Sequence, residues 1–281
     1  MPDPATDHPD RRSPQRVPRP IKEASMSTHV VVFDLETVPD LAAVARVHDL
    51  DPGDADAARD KLGPAFPKLI FHSIVAIGAL IAVREDGAYR VQALGAPHVG
   101  ERSEGRLIED FAGKLDRLRP QLVSFNGHGF DLPVLRYRAM INGIAAAGLT
   151  CRPYFRRYDE AALDLCDHLG NYDARGKIGL DALCRALDLP GKQIGVDGAS
   201  VAGFVAAGRL AEVAAYCVSD VCATFRLFLA YELMRGALDP DGHARSSASL
   251  ERFIAASTAE CRDRTTNPVS GSKSVPIGCP A

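Results

Sequence analysis

In the stretch VVVFDLETVPD, Asp34 and Glu36 stand one residue apart, directly behind an apolar run. On an extended segment residues i and i+2 point to the same face, so both carboxylates emerge together. Like charges this close repel, and a shared cation relieves them. Hard oxygen donors on a rigid strand suit Mg²⁺ or Mn²⁺, which are commonly held by a few carboxylates and by phosphate oxygens of a substrate. An isolated Asp-x-Glu is common by chance and reads better as a solvated strand end before a turn at Val38-Pro39.

Two further clusters change that balance. In SFNGHGFDLPVL, a strand reaching Phe125 and Asn126 is followed by a Gly-rich turn and by Asp131 at the start of a helix. The helix dipole favours a first-turn acid by a few tenths to ~1 kcal/mol, which accounts for Asp131 on its own. It does not account for the two glycines, which allow a ligand close to the backbone, or for Asn126 at a strand's C-terminal edge, where α/β sheets gather ligands. In YCVSD, Tyr216 and Asp220 are i and i+4, neighbours on one helix face, beside a stripe formed by Leu210, Val213, Cys217, Val221 and Phe228. Each cluster alone has an ordinary structural explanation. Their order along the chain is the signal.

Elements must position these residues. HVVVFD is a short run rich in β-branched residues, and HSIVAIGALIAV, the turn REDG and AYRVQAL predict a hairpin, so the chain opens with an antiparallel meander. EGRLIEDFAGKLDRL places Leu107, Ile108, Phe111, Leu115 and Leu118 at helical spacing before Pro120. QLVSFN is a second buried strand. FDLPVLRYRAMINGI, GLDALCRALDL and LAEVAAYCVSDVCATFRLFLAYELM follow as helices. Asp51 to Lys68, with its Pro, Gly and Asp, reads as a long insertion or a helical excursion. Strands followed by strands alternating with helices describe an α/β layered domain with a mixed sheet. Residues 1–28, rich in Pro, Asp and Arg, read as a disordered lead. Residues 239–281 lose the apolar pattern and read as a loose tail, leaving 29–238 as the ordered body.

Composition limits the partners. With 281 residues, 46% of them hydrophobic, one sizeable core is expected. A net charge of −3 gives no global basic field, so a polyanion would have to be handled locally. Seven cysteines without a CxxC pair argue against a disulfide framework or a structural zinc site, and fit a reducing cytoplasm. There is no apolar leader and no run of ~18 apolar residues, so no membrane association is expected.

Taken together, FDLET, NGHGFD and YCVSD resemble the three motifs of the DEDD superfamily of 3'-5' exonucleases, which have a ribonuclease H-like fold. The Tyr of the third motif is that of the DEDDy branch. FDLETVPD, FPKLIFHSIVAIG and FNGHGFDLPVL are similar to bacterial predicted exonucleases related to the proofreading domain of family B DNA polymerases. The resemblance runs over residues 29–236. It implies an α/β, ribonuclease H-like layered fold with a central mixed five-stranded sheet, an antiparallel meander plus parallel strands, flanked by helices. It also implies metal-dependent hydrolysis of phosphodiester bonds from a 3' end, releasing nucleoside monophosphates, with two Mg²⁺ or Mn²⁺ ions about 3.5–4 Å apart. In that scheme Asp34 bridges the ions, Glu36 and Asp220 complete the site holding the attacking water, Asp131 steadies the second ion, and Tyr216 orients the water. Thr37 and the backbone at Leu35 would meet the terminal nucleotide, and Asn126 and Phe130 would hold or stack on the last bases.

Single-stranded DNA is the favoured substrate, because the likeness is to DNA proofreading and no discrete RNA-binding module is visible. An exoribonuclease trimming RNA ends and a non-catalytic nucleic-acid-binding module are the alternatives. The complete set Asp34, Glu36, Asp131, Tyr216 and Asp220 argues against the last. No polymerase region is visible, so a role in repair or replication would call for a partner. RYR at 136–138 and RPYFRRY at 152–158 could follow a strand's backbone or be solvated helix flanks, and Lys192 of LPGK could touch phosphate. Asp164 is expected to cap or line the last strand, and Asp159, Glu160 and Asp167 to face solvent. His72 and His128 receive no catalytic role.

Overall fold

The run behind Asp34 becomes β1 (His29–Pro39), and its alternation serves two cores at once. Val30 and Val32 pack on one side of the sheet, while Val31, Phe33 and Leu35 pack on the other. A strand buried on both faces reads as continuous apolar sequence, as this one does. In this computed structural model the described residues are 28–191 and 200–266. The expected lead up to residue 27, the last part of the expected tail from 267, and Lys192 lie outside them.

After β1 come α1 (Leu41–Val47), α2 (Ala55–Leu62), β2 (His72–Glu85), β3 (Ala88–Gly95), α3 (Glu104–Leu118), β4 (Gln121–Ser124) and α4 (Asp131–Ile141). Then follow β5 (Ala162–Asp164), α5 (Leu165–Leu169), α6 (Leu180–Ala186), α7 (Val201–Ala206), α8 (Leu210–Met234) and α9 (Pro240–Thr266). The five strands form one sheet in the order β3-β2-β1-β4-β5. β2 is antiparallel to β1 and to β3, whereas β4 is parallel to β1 and to β5. This is the mixed sheet of the ribonuclease H-like fold, with helices on both faces. α3 and α4 cover one face through Leu107, Ile108, Phe111, Leu132 and Leu135. α8 covers the other through Val221, Phe225 and Phe228. By length and composition α8 could cross a membrane, but 72% of its most apolar window is buried inside the fold. Its apolar length serves the sheet.

Two expectations need correction and one alternative is decided. β4 stops at Ser124, and Asn126 lies beyond it in a turn with φ of 67°. Of the two readings of 51–68 the helical excursion holds, since the stretch contains α2, which packs with α1 around Val44, Ala58 and Phe71. The supposed tail from Asp239 is helical over Pro240–Thr266 and packs along β3. Leu250 of α9 is fully buried, with Phe253 and Ile254 packed beside the same core. The rest of its attachment is polar. Ser246 and Ser249 accept hydrogen bonds through their hydroxyls from the Tyr89 and Val91 N–H groups, at 2.8 and 3.0 Å. These are donors of an edge strand, which would otherwise be left exposed for pairing with another chain. Helical hydroxyls stand in for a sixth strand.

Candidate active site

Asp34 and Glu36 lie toward the C-terminal end of β1, where the ladder with β2 shifts register between Glu36 and Thr37. Such an irregularity twists a strand and re-aims its side chains. Asp34 is half-buried and Glu36 buried. One oxygen from each carboxylate and the Cys217 sulfur lie within 4.8 Å of one another. Cys217 Sγ is 3.6 Å from the Asp34 carbonyl oxygen and 3.8 Å from Asp34 Oδ2.

That proximity depends on Gly78, the residue paired with Asp34 across the ladder. A Cβ at Gly78 would fall 2.6 Å from the sulfur and 3.0 Å from Val221 Cγ2. The missing side chain is the notch through which α8 reaches β1. Burial, then the charges of Asp34, Glu36 and Asp220, hold the Cys217 thiol well above its usual pKa. It therefore stays protonated and donates toward Asp34. The sequence had assigned Cys217 to the apolar stripe and gave no sign of this role. Asp220, three residues on, belongs to the same electrostatic neighbourhood and is buried. Tyr216 is buried beside Val75, Val201 and Val213.

Asp131 opens α4 and is joined to the first motif directly: its Oδ1 accepts a hydrogen bond of 3.1 Å from Leu35 N–H. Burial lifts its pKa to about 7, and the charge of Asp164 adds to this against the pull of the Leu35 N–H and its own. A desolvated carboxylate among other acids is a group that a cation would stabilise. The donors here are hard oxygens, apart from one sulfur, and suit Mg²⁺ or Mn²⁺.

The turn before Asp131 is held by Asp164. Its Oδ1 accepts from Asn126 N–H at 2.8 Å, and from Cys166 and Asp167 N–H at 3.1 and 3.2 Å, while Oδ2 accepts from His128 N–H at 2.9 Å. It thus ends β5, caps α5 and pins the second motif. The two glycines are required by the turn itself. A Cβ at Gly127 would fall 2.2 Å from Ser124 Oγ, and one at Gly129 2.8 Å from Asn126 Oδ1. His128 is structural, with Nε2 3.1 Å from the Tyr154 carbonyl oxygen. Lys177, which the sequence reading overlooked, donates to Asn126 Oδ1 at 3.0 Å and pairs with Asp167 at 2.7 Å. Asp167 does not face solvent as expected. It is buried, and the hydrogen-bonded Arg157 guanidinium and then Lys177 bring its pKa down to about 2 against the effect of burial.

Of the residues expected to meet substrate, Leu35 has its side chain in the core and its N–H on Asp131. Thr37 is half-buried, with Oγ1 3.0 Å from His72 Nδ1. His72 Nε2 lies 3.2 Å from the Pro67 carbonyl oxygen, which can only accept. The ring proton is therefore on Nε2. Burial lowers the His72 pKa, so Nδ1 stays bare and accepts from the Thr37 hydroxyl. That leaves the Thr37 oxygen with capacity to accept a further hydrogen bond. Phe130 meets the His72 ring edge-on at 4.9 Å.

The basic stretches are largely occupied. Arg138 is buried between Asp40 and Glu104, Arg136 lies over Phe155, and Arg157 is on Asp167. Tyr154 is fully buried, with its hydroxyl donating to the Pro120 carbonyl at 2.9 Å.

A ribonuclease H-like sheet with acids gathered at the end of its central strand defines the class. Residues 64–266 match the family described as "Predicted 3'-5' exonuclease related to the exonuclease domain of PolB". The chain belongs to this family of 3'-5' exonucleases. The matched stretch takes in Asp131, Tyr216 and Asp220 and begins after Asp34 and Glu36. Among solved structures, the chain is similar to the family B DNA polymerase of the hyperthermophilic archaeon Pyrobaculum calidifontis. The identity is 17% and the TM-score 0.47, over 74% of this chain and 24% of the polymerase. It is also similar to a product-bound exonuclease I, with 12% identity and a TM-score of 0.35, over 72% of this chain and 47% of that one. No curated protein sequence matches.

Proposed function

We propose that this chain removes nucleotides from the 3' end of single-stranded DNA, hydrolysing the terminal phosphodiester bond to release a nucleoside monophosphate. The observation that carries this reading is the convergence of three distant segments on one strand end. Asp34 and Glu36 meet Cys217 of the helix bearing Asp220, and Asp131 is tied to Leu35 between them. Asp34, Glu36, Asp131 and Asp220 would hold two Mg²⁺ or Mn²⁺ ions. When bound, such ions neutralise charge on the scissile phosphate and acidify a water for attack.

The chain's own residues supply position. β1, packed on both faces, keeps Asp34 and Glu36 fixed. Tyr216 shares a helix face with Asp220 and would orient the attacking water, its hydroxyl able both to accept and to donate. The acceptor oxygen of Thr37 suits a sugar hydroxyl at the strand end. Asn126, steadied by Lys177, and Phe130 would flank the last bases. DNA is proposed over RNA because the family is related to the exonuclease domain of a DNA polymerase.

The test uses 5'-labelled single-stranded DNA and RNA of one sequence, with Mg²⁺ or Mn²⁺, comparing the wild type with Asp34→Ala and Asp220→Ala. A ladder that shortens from the 3' end of DNA, only with metal and only for the wild type, is expected. Faster shortening of RNA would reassign the substrate. Cleavage that persists in chelator would refute the metal-dependent mechanism.

A further inference from the structure

We infer that Phe66 is the plate on which the base of the 3'-terminal nucleotide stacks, an inference that rests on the exonuclease reading of the adjoining acids. Phe66 lies in the connection between α2 and β2, and 73% of it is exposed. One side of the ring is nevertheless built into the protein. Its centroid is 5.0 Å from the His72 ring and 5.7 Å from the Phe130 ring, and those two rings meet edge-on at 4.9 Å. The three rings make one aromatic surface.

This surface adjoins the acids on two sides. Phe130 immediately precedes Asp131, and His72 binds the hydroxyl of Thr37, the residue after Glu36. The loop is restrained as well. Pro64 and Pro67 restrict the backbone on either side of Phe66. The Pro67 carbonyl accepts from His72, and Phe71 N–H donates to the Lys68 carbonyl at 2.8 Å. An apolar ring held open to water by its own neighbours, beside a site for a polynucleotide end, has the chemistry of a base-stacking platform. Every base offers a π-face, so such a plate holds any terminal base while Thr37 meets the sugar. Phe130 and His72 brace the plate through their ring contacts with it.

The experiment measures binding of a single-stranded DNA oligonucleotide in chelator, so that no cleavage intervenes. Phe66→Ala should weaken binding about 5- to 150-fold, the range for losing one base–aromatic stack. Phe66→Leu should weaken it nearly as much, because leucine has bulk and no π-face. An oligonucleotide whose 3'-terminal residue is abasic should bind wild type and Phe66→Ala equally. The chain contains no tryptophan, so Phe66→Trp adds a sole indole, whose emission should be quenched by the intact strand and much less by the abasic one. With three-quarters of its surface in water, Phe66 can be replaced without threatening the fold. If wild type shortens DNA while Phe66→Ala and Phe66→Leu bind as it does, the plate is refuted and the exonuclease reading stands. If wild type neither binds nor shortens any strand, the exonuclease reading fails and the plate with it.

Discussion

Replacing Asp164 separates the scaffold of the second motif from the acids that would bind metal. Its two carboxylate oxygens accept from four backbone N–H groups, those of Asn126, His128, Cys166 and Asp167. Asp164→Ala strips all four. Losing the cap of α5 costs about 0.5–2 kcal/mol, and each buried donor left bare in the Asn126–His128 turn costs about 1–3 kcal/mol. The contributions share one carboxylate and do not simply add, so a total of about 3–5 kcal/mol is expected. For a domain of this size that lowers the unfolding midpoint by about 6–20 °C. Asp164→Asn keeps Oδ1 and its three bonds, and presents an NH₂ to the His128 N–H. It should therefore cost about 1–3 kcal/mol, the share of one unsatisfied donor. It also removes a negative charge that raises the pKa of Asp131, which should fall. Thermal and urea unfolding measure stability, and nuclease turnover well below each midpoint measures the effect on the site. Because Asp131 follows this turn, a shift of about 1 Å could lower turnover about 100-fold. An unchanged midpoint for Asp164→Ala, or equal damage from Asn and Ala, would refute the assignment of Asp164 as the anchor.

Three further outcomes follow from particular contacts. Gly78→Ala forces a Cβ to 2.6 Å from Cys217 Sγ and should destabilise by about 1–3 kcal/mol; adding Cys217→Ala should restore much of this in urea unfolding, and purely additive effects would rule out the notch. Asp167 has its folded pKa depressed to about 2, below the ordinary 3.8, so its contribution is complete above the higher value and is lost as pH falls toward the lower. The stability gap between wild type and Asp167→Asn should accordingly be largest near neutrality and close between pH ~5 and ~2, whereas a gap that widens in acid would contradict the Arg157 and Lys177 pairing. Ser246→Ala and Ser249→Ala should each cost about 1–3 kcal/mol and speed hydrogen exchange at the Tyr89 and Val91 amides; unchanged exchange would mean that α9 does not seal the β3 edge through its hydroxyls.

What could be read from the sequence was whatever local chemistry forces. The strand before Asp34 and the hairpin after it are fixed by β-branched runs and turn residues, and α3 and α8 by helical periodicity. The four candidate acids and the tyrosine could be named because their types and spacing recur in a known family, and the structure then places them on β1, α4 and α8. The failures share one physical cause. Asp167 and Arg138 are polar residues whose burial depends on partners far away in the chain, and neither periodicity nor composition carries that information. α9 was missed because half its attachment is through Ser246 and Ser249, which a search for apolar stripes counts as solvent-facing. Phe66 sits between two prolines in a stretch without a period, so only the packed rings of His72 and Phe130 give it meaning.

The acids are set by three devices, none of which needs a cation. Asp34 and Glu36 stand on a strand whose alternate side chains are locked into opposite cores. Asp131 is aligned with that strand by the Leu35 N–H, a bond that would be lost if α4 shifted along its axis. Asp220 follows Cys217, which can sit against Asp34 only because residue 78 is glycine. Each device joins two segments, and together they close a loop from β1 to α4, and from β1 across β2 to α8. The framework therefore holds like charges together using packing and backbone hydrogen bonds made elsewhere. On the proposed metal-dependent reading, divalent ions would meet a site already arranged, and would relieve this repulsion without first moving the chain. On this account, Gly78→Ala should weaken metal binding even though residue 78 has no side chain to offer a metal, and a Mn²⁺ titration of unfolding midpoints would measure it.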